Sequence, residues 1–104
     1  VTVRANTDPA CAGCISALSA LAKNKLVQLT WPLVAGAHHY NVYRSTVSGG
    51  PYALVGAAIS TQTVYLDQTV TNGTTYYYVV KPAALNGSET CQSNQVMAKP
   101  VALR

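Results

Sequence analysis

The sequence predicts an all-β domain, a sandwich of seven short strands closed on one core. Three observations carry that prediction. Five strand-favouring residues, Tyr76 to Val80, run consecutively after an Asn72-Gly73 turn. Apolar and polar residues alternate with a period of two in several short runs. These runs recur at roughly 8–12-residue spacing, separated by Gly, Pro, Asn and Ser. The chain has 104 residues, of which 49% are hydrophobic. That length supports one core with a stability of about 5–10 kcal/mol. The composition excludes a disordered chain.

The elements follow in order. Val1 to Ala5, V-T-V-R-A, reads as a short strand in an N-terminal arm, 1–14, that also holds a C-x-x-C pair. The sandwich occupies 15–104. Ile15 to Ala22 is apolar and small; Leu18 is its core residue, and its alanines also permit a helix. Lys23-Asn24-Lys25 is a turn. Leu26 to Trp31 alternates, with Val27, Leu29 and Trp31 inward and Gln28 and Thr30 outward, and Pro32 ends it. His39 to Arg44 follows, with Tyr40 and Val42 inward and Asn41 and Tyr43 outward. Ser45 to Pro51 is a turn and Tyr52 to Val55 a short strand. In Thr63 to Asp67, Val64 and Leu66 compete with Tyr65 for the inner face. In the Tyr76 strand, Tyr76, Tyr78 and Val80 share one face and Tyr77 and Val79 the other. Asn86-Gly87 is a turn, and Gln95 to Val101 is the last strand, with Val96 and Ala98 inward.

Ten charged residues, seven basic and three acidic, leave a formal charge of +4. The basic residues are scattered, with no run suited to a phosphate backbone, so nucleic acid is not an expected partner. No apolar run is long enough to span a membrane. The chain opens on Val1, which reads as a processed mature chain or an excised domain. Abundant Thr, Ser, Asn and Tyr beside few Lys and Glu suggest a secreted or cell-surface protein, where cysteines pair by default. Cys11, Cys14 and Cys91 make an odd count, so one is left over.

The ordered set of motifs resembles a fibronectin type III domain of the kind found in bacterial secreted proteins. The resemblance covers about 15–101. It rests on Leu18 before Val27-x-Leu29-x-Trp31, then Gly36-Ala37 before Tyr40-x-Val42-Tyr43-Arg44, then Ser45-Thr46-x-Ser48-Gly49-Gly50-Pro51-Tyr52. Next stand Tyr65-x-Asp67, Val70-x-Asn72-Gly73-Thr74-Thr75-Tyr76-x-Tyr78-x-Val80, and Ser93-Asn94-x-Val96-x-Ala98-x-Pro100. It implies an immunoglobulin-like Greek-key sandwich, strands A-B-E against C-C′-F-G. It further implies that Trp31, Tyr40, Tyr76 and Tyr78 are structural core, with Tyr76 at the tyrosine-corner position, its hydroxyl bonded back to the preceding corner. Pro82 departs from the pattern and should stop or bulge strand F.

In that topology all three cysteines gather near one pole. Cys91 then pairs with Cys14 or Cys11, tying the arm to the sandwich. The alternative is a zinc site from Cys11, Cys14, Cys91 and His38. His38 and His39, adjacent on an extended segment, should point to opposite faces. Asp67 and Glu89 belong at opposite poles, too far apart for a glycosidase pair. No nucleophilic triad or phosphate loop is present, so no catalytic residue and no cofactor are expected. The sequons at Asn72 and Asn86 read as turns. Tyr43 and Tyr77 share the outer face of the C-F sheet and form a candidate contact surface, together with Val1 and Val3 of the arm.

These features imply a non-catalytic extracellular structural or adhesive module. In one form its arm adds as a strand to a neighbouring copy, building a surface polymer or filament. Two alternatives stand beside it. The first is an accessory or spacer module of a secreted polysaccharide-degrading enzyme, with glycan as a partner of the tyrosine face. The second is the Cys/His metal-binding module.

Overall fold

The computed structural model describes residues 15, 17–89 and 92–102. They form seven strands and no helix: β1 (Ser19–Lys23), β2 (Leu26–Thr30), β3 (His39–Ser45), β4 (Ala53–Ile59), β5 (Val64–Asp67), β6 (Tyr76–Ala83) and β7 (Val96–Ala98). Two antiparallel sheets result, ordered β1-β2-β5 and β4-β3-β6-β7. This is the A-B-E against C-C′-F-G arrangement expected from the motifs. The arm at 1–14, with Val1, Val3, Cys11 and Cys14, lies outside the described residues, as does Cys91. The cysteine pairing and the Cys/His zinc set therefore have no described geometry.

Alternation places the core as expected. Val27, Leu29 and Trp31 from the β2 run, Tyr40 and Val42 from β3, and Tyr76, Tyr78 and Val80 from β6 are all buried. They interlock with Ile15, Leu18, Ala58, Val70 and Ala98 in one cluster. Trp31 and Tyr40 meet edge-to-face with ring centroids 5.4 Å apart, the geometry that the ring quadrupoles favour. Among the described residues, the buried Trp31 Nε1 has no hydrogen-bond partner. The Tyr76 hydroxyl accepts from the backbone N–H of Thr71 at 2.8 Å, which is the tyrosine corner.

Four expectations need correction. The described residues of the Ile15–Ala22 segment form no helix. Ser19–Lys23 pairs with β2, because Ala20 and Ala22 pack against the sandwich core while Leu21 faces out. The strand expected at Tyr52–Val55 instead runs from Ala53 to Ile59. It carries a bulge at Val55, since Val42 pairs with Gly56 but Tyr43 with Leu54.

Pro82 neither stops nor bulges β6; it sits in register opposite Tyr40. The reason lies in which side its nitrogen faces. Ala83 accepts from His38 on the β3 side, whereas Val80 exchanges bonds with Ser93 on the β7 side. Pro82 shares the orientation of Val80. The β7 ladder covers only Tyr76–Tyr78, so no ladder bond is lost at Pro82. The histidines form the fourth case. His38 sits in a bend before β3 rather than on an extended segment, and the two rings meet, with Nδ1 atoms 2.9 Å apart.

In β5, Tyr65 and Asp67 win the inner face, and Val64 and Leu66 are exposed. The sandwich edge between β1 and β7 is tied by one side chain. Asn94 accepts from the Leu18 N–H at 2.9 Å and donates to the Leu18 carbonyl at 3.0 Å, replacing a ladder pair between sheets.

Candidate functional site

The outer face of the four-stranded sheet gathers most of the exposed chemistry. Its register sets Tyr43 beside Val79, Asn41 beside Lys81 and Ser45 beside Tyr77. All point away from the core by the pleat. After β6 the chain turns at 84–88 and returns, and Glu89 bridges Ala83. That return delivers a carboxylate onto the sheet.

Glu89 is the hub of this face. Its Oε2 accepts from Asn41 Nδ2 at 2.7 Å and from the Tyr43 hydroxyl. Lys81 Nζ lies 3.8 Å from Oε1 and 4.8 Å from the Tyr43 ring centroid, a cation–π distance. Burial pushes the Glu89 carboxyl up, but donation from Tyr43 and Asn41 and the charge of Lys81 outweigh it and hold it below the usual range. Tyr43 moves the other way. Burial and the Glu89 carboxylate push its phenol up to about 12. The four groups form one connected network of acid, amide, phenol and ammonium.

A second cluster closes the other end of the face. The Tyr52 hydroxyl and the Gly49 N–H (2.8 Å) both donate to Gln95 Oε1, and Gln95 Nε2 donates to Ser48 at 3.1 Å. Tyr52 precedes the edge strand β4, whereas Gln95 precedes β7 at the opposite edge. Their side chains therefore meet over the two strands between. Val79, on the same outer face, is completely buried. Tyr77, between Ser45 and the exposed Met97, is half-buried.

The structure thus sets Tyr43 and Tyr77 on one face, diagonal to each other. Tyr43 is engaged on its ring by Lys81 and on its hydroxyl by Glu89. The hub at Glu89 was missed in the sequence because its carboxylate meets Asn41 only after the β6 return. The scarcity of charge was the available signal, since Lys81 and Glu89 are two of only ten charged residues.

The other described carboxylate, Asp67, faces inward and is buried. It accepts from Arg44 Nη1 at 2.9 Å, Tyr78 Oη at 2.7 Å, and Thr69 N and Oγ1 at 3.0 and 2.6 Å. Burial raises its pKa, but donation from Thr69, Tyr78 and Arg44 outweighs that and lowers it overall. Asp67 and Glu89 are separated by the sheet, one inside and one outside. No group of three or more His, Cys, Asp or Glu residues occurs among the described residues. None of the described residues forms a helix long and apolar enough to cross a membrane.

Comparison with known proteins bears on the fold and its context. No protein-family model matches the chain. Over 86 residues, 83% of this chain, it is 43% identical to an amylopullulanase of Thermoanaerobacter thermohydrosulfuricus, of which the match spans 6%. Over 77 residues it is 39% identical to an amylopullulanase of Thermoanaerobacterium thermosulfurigenes, spanning 4% of it. The chain therefore matches only a small part of either relative. Among solved structures, an Fn3-like protein from Clostridium thermocellum is 40% identical and superposes with a TM-score of 0.75. That match covers 92% of this chain and 97% of that one. With the two-sheet topology and the Tyr76 corner in place, the chain belongs to the fibronectin type III domain family.

Proposed function

We propose that this domain is a non-catalytic accessory module of an extracellular polysaccharide-degrading enzyme. The observation that carries the reading is the module-sized match to amylopullulanases, 86 residues at 43% identity amounting to 6% of the relative's length. A match of that share supports a spacer or accessory unit over a whole catalytic domain. The two described side-chain carboxylates, Asp67 and Glu89, support it. Glycoside hydrolysis needs a carboxylic acid with a raised pKa to protonate the leaving oxygen. Asp67 and Glu89 are both held below their ordinary values. They also lie on opposite sides of a sheet.

Two measurements test the reading. The gene that encodes this segment should place a catalytic domain on the same polypeptide; a gene that lacks one would refute it. The isolated domain should release no reducing sugar from pullulan or starch, and measurable release would refute the non-catalytic part.

A further inference from the structure

The chain contains two Asn-Gly pairs, Asn72-Gly73 and Asn86-Gly87, and the fold treats them differently. We infer that Asn86 is a site of spontaneous deamidation, whereas Asn72 is protected by tertiary structure. In this reaction the Gly87 backbone nitrogen gives up its proton to solvent and attacks the Asn86 side-chain carbon, Cγ. A C–N bond forms in a five-membered succinimide; the bond from Cγ to Nδ2 breaks, and ammonia leaves with the proton. Water then opens the ring at either carbonyl, giving Asp or isoaspartate. Water enters, ammonia leaves, and nothing is oxidised or reduced.

The turn at 84–88 favours each step. Asn86, Gly87 and Ser88 are all exposed, so water reaches the amide. Gly87 brings no Cβ to the attacking side, and the space where one would stand is empty. The Ser88 N–H donates to Asn86 Oδ1 at 2.9 Å, a bond between neighbours in one exposed turn that is lost when that turn opens. Among the described residues, the Gly87 N–H is tied to Ala84 O, at 2.9 Å, across the same turn. An exposed turn of this kind opens locally at small free-energy cost.

Gly73 is equally exposed, with nothing where a Cβ would stand, but the Asn72 amide and the Gly73 nitrogen are held by remote segments. Asn72 Oδ1 accepts from Lys25 N at 2.8 Å, and its Nδ2 donates to Asn24 Oδ1 at 2.8 Å. Gly73 N donates to Pro100 O at 2.8 Å. Freeing its nucleophile and its amide would require detaching both the β1–β2 turn and the Pro100 segment.

The product changes the outer face. It adds a negative charge three residues before Glu89. The isoaspartate form also lengthens the main chain inside the loop that Ala84 N and Ser88 O close at 2.8 Å, next to the Ala83–Glu89 bridge.

The test is to incubate the native chain and the same chain unfolded in urea in mildly alkaline buffer, then follow both sites by peptide mapping and mass spectrometry. In the native chain Asn86 should convert at least about tenfold faster than Asn72, while the two rates converge on unfolding. The Asn86→Gln variant should lose the slowly accumulating acidic species. Native Asn72 converting as fast as Asn86 would overturn the inference. So would an Asn86 that converts only when unfolded, or an acidic species that persists in Asn86→Gln.

Discussion

Replacing Asp67 with Ala removes the acceptor for four hydrogen bonds at the heart of the sandwich. The cost can be worked from the partners left behind. The Tyr78 ring is fully buried, so its hydroxyl cannot reach water; a buried donor without an acceptor costs about 1–3 kcal/mol. Arg44 loses its ion pair, but its side chain is 24% exposed and can partly rehydrate. Breaking a buried pair on one side costs about 3–5 kcal/mol, and the partial exposure of Arg44 sets the expectation for Asp67→Ala near 3 kcal/mol. That is a large share of the roughly 5–15 kcal/mol that a domain possesses.

Urea unfolding followed through Trp31 fluorescence reads this directly. The midpoint should fall by roughly 2 M with little change in m, for an m near 1.5 kcal/mol/M. In the double variant Asp67→Ala with Tyr78→Phe, the orphaned hydroxyl is gone, so the loss should be smaller than the sum by about 1–2 kcal/mol. The pH arm follows from the lowered pKa of Asp67. Its stabilisation is present above the unfolded value of about 3.9 and is lost as pH falls through the lower folded value. Asp67→Asn should therefore flatten the acid limb of the stability curve. A loss below about 1 kcal/mol for Asp67→Ala, or strict additivity in the double variant, would refute the reasoning.

Other perturbations probe separate parts of the fold. Tyr76→Phe deletes the acceptor for Thr71 N–H and should cost about 1–2 kcal/mol, read as a lower thermal midpoint; an unchanged midpoint would mean that the corner bond is replaced by water. Gly56→Ala would drive a Cβ into the Tyr65 hydroxyl, displacing the bond that Tyr65 makes to Val55 O at 3.1 Å. A loss of about 1–3 kcal/mol is expected by calorimetry, and a neutral result would argue against the close approach. In alkaline titration followed by phenolate absorbance, Tyr43 should ionise at about 12. Its folded value is raised, so its contribution to stability is complete below the unfolded value of about 10 and is lost as pH rises through the folded one. Glu89→Gln should return that phenol toward the ordinary range.

The inward residues were legible in sequence because a strand of period two leaves no choice once one face is buried. Val27, Leu29 and Trp31 in the β2 run, Tyr40 and Val42 in β3, and Tyr76 and Tyr78 in β6 all follow from alternation alone. Where alternation offered two apolar faces, as in β5, it was not enough. Tyr65 and Asp67 took the inner face over Val64 and Leu66 because Tyr65 caps the bulge carbonyl of Val55 and Asp67 meets Arg44 and Tyr78. Those partners are remote in sequence, so no local pattern announces them. Pro82 is similar. Its chemistry forbids a ladder bond, yet only the short reach of β7 shows that none was required at that position.

Local chemistry by itself determined where most strands and turns fall, while the Tyr76 corner came from the resemblance to fibronectin type III domains. Strands and turns depend on residues close in the chain, whose conformations are governed by backbone sterics and side-chain period. Tertiary structure alone decided which polar groups meet. It joined Glu89 to Asn41, Tyr43 and Lys81, enclosed Asp67 among four donors, and brought Tyr52 to Gln95 across the sheet. It also separated two identical Asn-Gly dipeptides into one that is clamped and one that is open. Hydrogen bonds and charge pairs act within a few ångströms in space, and that proximity comes from the packing of the two sheets, whatever the distance along the chain.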